Sequence, residues 1–173
     1  MEGNLKTPKS NKIGEKEFAN KEYSLELENL RNIDPNYATK PLETSFNWNE
    51  IATGIKDVEG EWYLVAFRSI RSVNNNNDLL IEAEEQAHYE AKNHGGLLKY
   101  WSGKFNQSRE CLSMCIWASR DNAVEASKKH SHKVAKELTN ENYETYTLER
   151  YEMKKIKGET MISIIPIIEN TNK

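Results

Sequence analysis

Between Trp62 and Lys157 the apolar positions change their period repeatedly, and the changes spell strand, helix, strand, strand, helix, strand. Trp62 to Ile70 (WYLVAFRSI) is aromatic and β-branched, as a central strand is. A polar loop, Asn74 to Asn77, leads into a helix that Asn77 or Asp78 is placed to cap. Leu80, Ala83, Ala87 and Ala91 recur in that helix at helical spacing, and their small side chains allow close approach to a sheet. Glu82, Glu84 and Glu85 complement the positive end of its dipole, and Gly95 stands where a left-handed C-terminal residue ends it. Leu97 to Trp101 and Cys111 to Ala118 read as the next two strands, joined by polar residues Ser102 to Glu110. Ser119 caps a second helix, with the stripe Ala123, Ser127, His130, Val134 and Leu138. Tyr143 to Met153 is the last core strand, and Met161 to Ile168 adds one more, which Pro166 confines to an edge or a bulge. The order predicts an α+β fold, the ferredoxin-like βαββαβ unit, with an amino-terminal extension and an extra carboxy-terminal strand.

The rest of the chain is read from weaker patterns. Residues 1–22 are rich in Lys, Glu and Asn and predict a disordered tail. Residues 23–59 predict a docked extension: Tyr23, Leu25 and Leu27 alternate, Asp34-Pro35-Asn36 and Lys40-Pro41 are turns, and Asn47 caps a short helix carrying Trp48, Ile51, Ala52 and Ile55. Residues 60–173 form the α+β domain. With 173 residues the chain is long enough to bury a core of its own. Its longest strongly apolar run, Ile162 to Ile168, is far short of the ~20 residues that cross a membrane, so no membrane partner is expected. MEGNLKTPKSNK has no apolar stretch, which predicts no secretory signal and a cytoplasmic location, with the nucleus also open to it. Cys111 and Cys115 lie four residues apart on one strand, about 13 Å at ~3.3 Å per residue, too far to form a disulfide within it.

Alternation divides the two central strands into two kinds of face. Leu112, Met114 and Ile116 with Leu64, Ala66 and Arg68 form an aliphatic set suited to helix packing. Cys111, Ser113, Cys115 and Trp117 with Tyr63, Val65, Phe67 and Ser69 form an aromatic, weakly polar set suited to a cavity or a second sheet. That face is read either as a homodimer interface alone or as an interface with a ligand pocket. A sheet with large residues on both faces and only two helices to cover one of them predicts a homodimer. The candidate pocket residues are Tyr63, Phe67, Trp101, Ser113 and Trp117, with His132 as the candidate catalytic or proton-moving group. His132 falls off the helix stripe and could face the pocket, whereas His130 lies on the stripe and reads as a core residue. His130 and His132, two apart, do not share a helix face, and there is no HExxH or CxxC, so no metal site is expected. Glu149 and Arg150 point to opposite faces, so only one of them can join Arg68.

From Phe46 to Gly158 the sequence resembles an uncharacterised family of mostly fungal proteins, to which no reaction is assigned. The resemblance is carried by FNWNEIA (Phe46 to Ala52), EGEWYLVAFRSIR (Glu59 to Arg71), EAEEQAH (Glu82 to His88), GGLLKYW (Gly95 to Trp101), CIWASRDNAVEAS (Cys115 to Ser127) and YTLERYEMKKIKGE (Tyr146 to Glu159). More distantly, Trp117, Ser119 and His132 look like the pattern of the dimeric α+β-barrel superfamily. That resemblance implies two ferredoxin-like sheets paired in a barrel, a ligand held between sheet and helices, and relatives that include small monooxygenases and haem-degrading enzymes. Haem or flavin is compatible with such a fold, but no motif here supports either, and the cofactor stays unknown.

Three functions follow. The leading one is a small-molecule-binding protein of monooxygenase-like type, taking a small hydrophobic or aromatic ligand. The alternative is a structural or regulatory homodimer without chemistry. The third, an RNA-recognition-type nucleic-acid binder, fits poorly: its third strand needs a basic-Gly signature and stacking aromatics, whereas CLSMCIWA has neither. Residues 60–158 also carry 15 basic against 14 acidic residues, too even a balance to draw a polyanion.

Overall fold

The computed structural model describes residues 10–73 and 77–168. Its centre is an antiparallel sheet in the order β2-β3-β1-β4-β5. The strands are β1 (Gly60–Arg71), β2 (Leu97–Ser102), β3 (Glu110–Trp117), β4 (Tyr143–Lys155) and β5 (Ile162–Pro166). Between them run α4 (Asn77–His94), α5 (Arg120–Ser127) and α6 (His130–Asn142), and before them α1 (Ser10–Glu26), α2 (Leu42–Ser45) and α3 (Trp48–Gly54). The first four strands and their helices are the expected ferredoxin-like unit, and β5 lies on the edge with Pro166 as its last residue.

The second helix of that unit is two helices. Ser119, extended at φ −162°, accepts the Asn122 N–H at 3.2 Å and starts α5, but Lys129 returns to extended geometry (ψ 157°) before α6. That break resets the helical phase, so the stripe read through Ser127 and His130 does not continue. His130 is exposed, and Ser131, His132, Val134 and Leu138 turn inward.

The amino-terminal segment departs further from expectation. Helix α1 begins at Ser10, inside the stretch read as a disordered tail; residues 1–9 lie outside the described residues. Ala19 and Tyr23 form its buried stripe, which Leu27 of the 3-10 turn Leu27–Asn29 and Leu30 after it continue, while Leu25 is 60% exposed, so the spacing is helical where the sequence suggested alternation. The Tyr23 ring lies 4.0 Å from that of Trp62, whose indole N–H donates to Asn20 Oδ1 at 2.9 Å. Asn47 precedes α3 as expected but does not cap it. Its amide instead joins the Arg31 N–H (2.9 Å), the Asn29 carbonyl (3.1 Å) and Glu50 (3.0 Å).

The assignment of the two sheet faces is reversed. Leu64, Ala66, Leu112, Met114 and Ile116 pack against Tyr23, Leu27, Leu42, Phe46, Trp48 and Ile51 of the extension in one large core. The helices α4 and α5 instead meet the aromatic face, through a smaller cluster of Tyr63, Ala91, Trp117 and Ala126. The extension therefore buries, within one chain, the sheet face left over by the helices, and the reasoning that called for a second sheet there no longer applies.

Candidate functional site

The two faces of the central strands differ in how completely they are sealed. Leu64, Ala66, Leu112, Met114 and Ile116 expose no surface. On the helix side Val65, Phe67, Ser113 and Cys115 stay partly accessible, although α4 and α6 belong to that side. Close packing ordinarily fills such a gap. Here the register explains why it does not: β2, β3, β1 and β4 bring Tyr100, Cys115, Val65 and Arg150 into one row, and Ser102, Ser113, Phe67 and Leu148 into the next. Above this side runs α4, with Ala83, Ala87 and Ala91 on its inner stripe. The partly accessible strip of hydroxyl, thiol and aromatic groups beneath it is called the crevice below.

Its polar groups pair with one another. The Ser102 and Ser113 hydroxyls are 2.9 Å apart, and both are hydrogen-bonding neighbours of the Tyr100 hydroxyl. Tyr143 OH donates to Glu84 Oε1 of α4 at 2.9 Å. The Tyr146 ring lies 6.0 Å from Phe67 and 5.7 Å from Tyr143, and the His88 imidazole lies 4.9 Å from the Tyr100 ring. Burial pushes the Tyr100, Tyr143 and Tyr146 phenols up, and the Cys115 thiol up to about 12. All four are therefore neutral at pH 7 and act as hydrogen-bond donors, not as nucleophiles. Burial, reinforced by Lys92, lowers the pKa of His88, so it is the neutral imidazole of the site.

The predicted site residues are only partly brought together. Phe67 and Ser113 lie on the crevice floor. Tyr63 and Trp117, at 5% and 4% exposure, fill the small core at its closed end and have no free surface to offer. Trp101 is on the opposite face: the register places it beside Met114, and its ring meets Phe46 at 4.8 Å and Tyr37 at 5.3 Å, edge to face. A register shift between Leu97 and Lys99 puts Tyr100 on the crevice side in its place. His132 sits half-buried with Glu90 of α4 and Lys136 as its charged neighbours, and it is not among the groups that gather around Glu84. Glu84, His88, Tyr100, Tyr143 and Tyr146 were missed. Their signal was available: Glu84 and His88 are four apart on the alanine face of α4, and alternation places Tyr146 with Leu148.

Among the described residues, no group of His, Cys, Asp or Glu is arranged to hold a metal ion, and no helix is long and apolar enough to cross a membrane. The cysteines are free.

Several solved structures are similar to about half of this chain. A Shewanella oneidensis protein superposes with TM-score 0.48 at 12% identity, covering 56% of this chain and 94% of its own. A Nitrosomonas europaea protein named as an antibiotic biosynthesis monooxygenase gives 0.45 at 10%, covering 51% and 95%. A variant of SnoaB, a cofactor-independent oxygenase from Streptomyces nogalater, gives 0.43 at 8%, covering 52% and 89%. In sequence the chain is similar to the UPF0643 protein PB2B2.08 of Schizosaccharomyces pombe, 29% identical over 140 residues. The match covers 70% of this chain and 62% of that protein, so the chain spans less than two thirds of its curated relative's length. A family profile, PB2B2.08-like, matches residues 6–166. That match takes in the amino-terminal cover as well as the whole sheet, and the chain belongs to the PB2B2.08-like family.

Proposed function

We propose that this protein binds a flat aromatic ligand bearing carbonyl or hydroxyl oxygens, held between the sheet and α4. The observation that carries the reading is the incomplete sealing of the central strands on the helix side only, at Phe67, Ser113 and Cys115. Rings at Phe67, Tyr100 and Tyr146 supply apolar faces, and the phenols and Ser113 supply neutral donors. Such a lining favours an acceptor oxygen over a charged group. The binding function needs one chain, since every residue invoked comes from the same sheet and helix.

The test pairs two probes of similar shape, 1-tetralone and naphthalene, titrated calorimetrically. The ketone should bind roughly fivefold to tenfold more tightly, the scale of one hydrogen bond. Ser113→Val and Tyr146→Phe should erase that preference while leaving naphthalene binding nearly unchanged. Equal affinity for the two probes, or a preference that survives both substitutions, would remove the hydrogen-bonding role. No binding of either probe, together with no ligand retained on the purified protein in native mass spectrometry, would leave the non-catalytic structural role as the better reading.

A further inference from the structure

Glu84 of α4 has one oxygen in use and one open. Its Oε1 accepts from the Tyr143 hydroxyl at 2.9 Å. Among the described residues nothing donates to Oε2, and that atom keeps accessible surface. A carboxylate offers about four lone-pair directions, so Oε2 is able to take a proton.

The crevice also holds an unused donor. Among the described residues the Tyr146 hydroxyl makes no hydrogen bond, and the side chain is 39% exposed. The register sets Tyr146 beside Ser69, in the row next to Phe67 and Ser113. Its ring lies 5.7 Å from that of Tyr143, whose hydroxyl holds Glu84, so the open donor and the open oxygen both lie beside Tyr143. The charge of Glu84 reaches the whole group: after burial, it is among the causes that push the Tyr100, Tyr143 and Tyr146 phenols up. Arg71, 5.9 Å from the centre of the Tyr143 ring, adds a cation at this end.

A protonated phenol and a carboxylate in one apolar strip have separate duties. The phenol polarises a carbonyl by donating to its oxygen, which acidifies the neighbouring C–H, and the carboxylate removes that proton. The Cys115 thiol, raised to about 12 by burial, is protonated and brings no competing nucleophile.

We propose that the crevice catalyses the enolisation of a bound ketone, with Glu84 as the general base. The activity rests on the carbonyl ligand of the proposed function. The C–H bond beside the carbonyl breaks and its proton passes to Glu84 Oε2. Its electron pair forms the C=C bond while the carbonyl π electrons move onto oxygen. The Tyr146 hydroxyl holds the resulting enolate oxygen. The proton then returns to carbon, restoring the ketone, or to oxygen, giving the enol, and no further reactant is consumed. Tyr143 is a positioning residue, whose bond to Oε1 fixes the direction of the carboxylate.

In D2O buffer, proton NMR follows the loss of the C2 hydrogens of 1-tetralone directly. Ketone bound to the full chain should exchange them at least about a thousandfold faster than free ketone at the same pH, the scale of general-base catalysis. Glu84→Gln keeps an oxygen for Tyr143 but has no basic one. It should return the exchange to the free rate while calorimetric affinity for 1-tetralone stays within about threefold. Tyr146→Phe should slow exchange of the bound ketone by roughly a hundredfold, because its donor matters more to the enolate than to the ketone. If Glu84→Gln does not fold, Tyr146→Phe decides, since its hydroxyl holds nothing in the fold. Exchange that survives in folded Glu84→Gln, or bound ketone that exchanges equally fast with and without the Tyr146 hydroxyl, would overturn the proposal. Ketone that binds but exchanges no faster than when free would overturn the activity and leave the ligand reading standing. Failure of 1-tetralone to bind would remove both.

Discussion

Arg68 pins the amino-terminal cover to the sheet. Its guanidinium donates to Glu149 Oε1 at 2.8 Å and to the carbonyls of Tyr37 (3.1 Å), Ala38 (2.7 Å) and Lys40 (2.9 Å). Glu149 in turn accepts from Tyr151 OH at 2.8 Å. Removing the cation strands a largely buried carboxylate and three carbonyls, so Arg68→Met should cost about 3 kcal/mol in urea unfolding. Arg68→Lys should recover only a minor part, because an ammonium cannot span that set of acceptors. Two histidines set the pH dependence. Burial lowers the pKa of both His88 and His132 from 6.5, so below that pH the unfolded chain binds protons that the folded chain does not. Stability should therefore fall as pH drops from 6.5 toward 5, and above 6.5 the two contribute nothing. Glu50, held at about 2 by its hydrogen bond and ion pair with Arg31, adds a separate loss only below 4.5. His88→Gln should lessen the upper loss, leaving the part due to His132, and leave the lower one intact, as read by chemical unfolding at each pH.

At the scale of elements, α1 and the β3–α5 junction seal opposite faces of one sheet. Tyr23 is wholly buried on one side and Trp117 is 4% exposed on the other. Tyr23→Ala and Trp117→Ala should each cost about 3–5 kcal/mol, the range for deleting a buried aromatic ring. Only the second should also alter 1-tetralone binding, since Trp117 closes the end of the crevice while Tyr23 lies behind the sheet. Equal effects on binding would mean that the two faces are coupled. The alanine stripe of α4 was legible because its period is unbroken and Gly95, at φ 91°, stops it cleanly. The division of α5 from α6 was not. Lys128 and Lys129 carry no breaker chemistry, and the break arises where α6 must turn to pack against α4, with Ser131 N–H held by Glu90 at 2.9 Å.

Over the whole molecule, the extension takes the place that a second sheet was expected to fill. The homodimer was anticipated through the aromatic face, which carries α4 and α5 instead, while the aliphatic face is covered by Tyr23, Leu27, Leu42, Phe46 and Ile51, all wholly or almost wholly buried. On the proposed reading, the crevice belongs to each chain separately. Probe binding should saturate at one molecule per chain, with the same affinity at every protein concentration. A stoichiometry of one per two chains would show that the site needs both copies.

The order of strands and helices, the alternation that separates Leu64 from Tyr63, and the edge position imposed by Pro166 were determined by the sequence itself, because each follows from local periodicity or backbone chemistry. Arg68 was likewise restricted to one of two neighbours by strand geometry, and Glu149 is that neighbour. Which face each helix covers was decided only in three dimensions. An aliphatic strand face accepts α4 or α1 equally well, and the choice depends on connections that no short window contains. Helix α1 itself shows this. Its polar composition does not favour a helix in isolation, and it is held by Ala19 and Tyr23, with Leu27 just after it, docking on strands that begin at Gly60. Trp101 lost its predicted place to Tyr100 through a one-residue shift in register, which moves a side chain from one face of a sheet to the other.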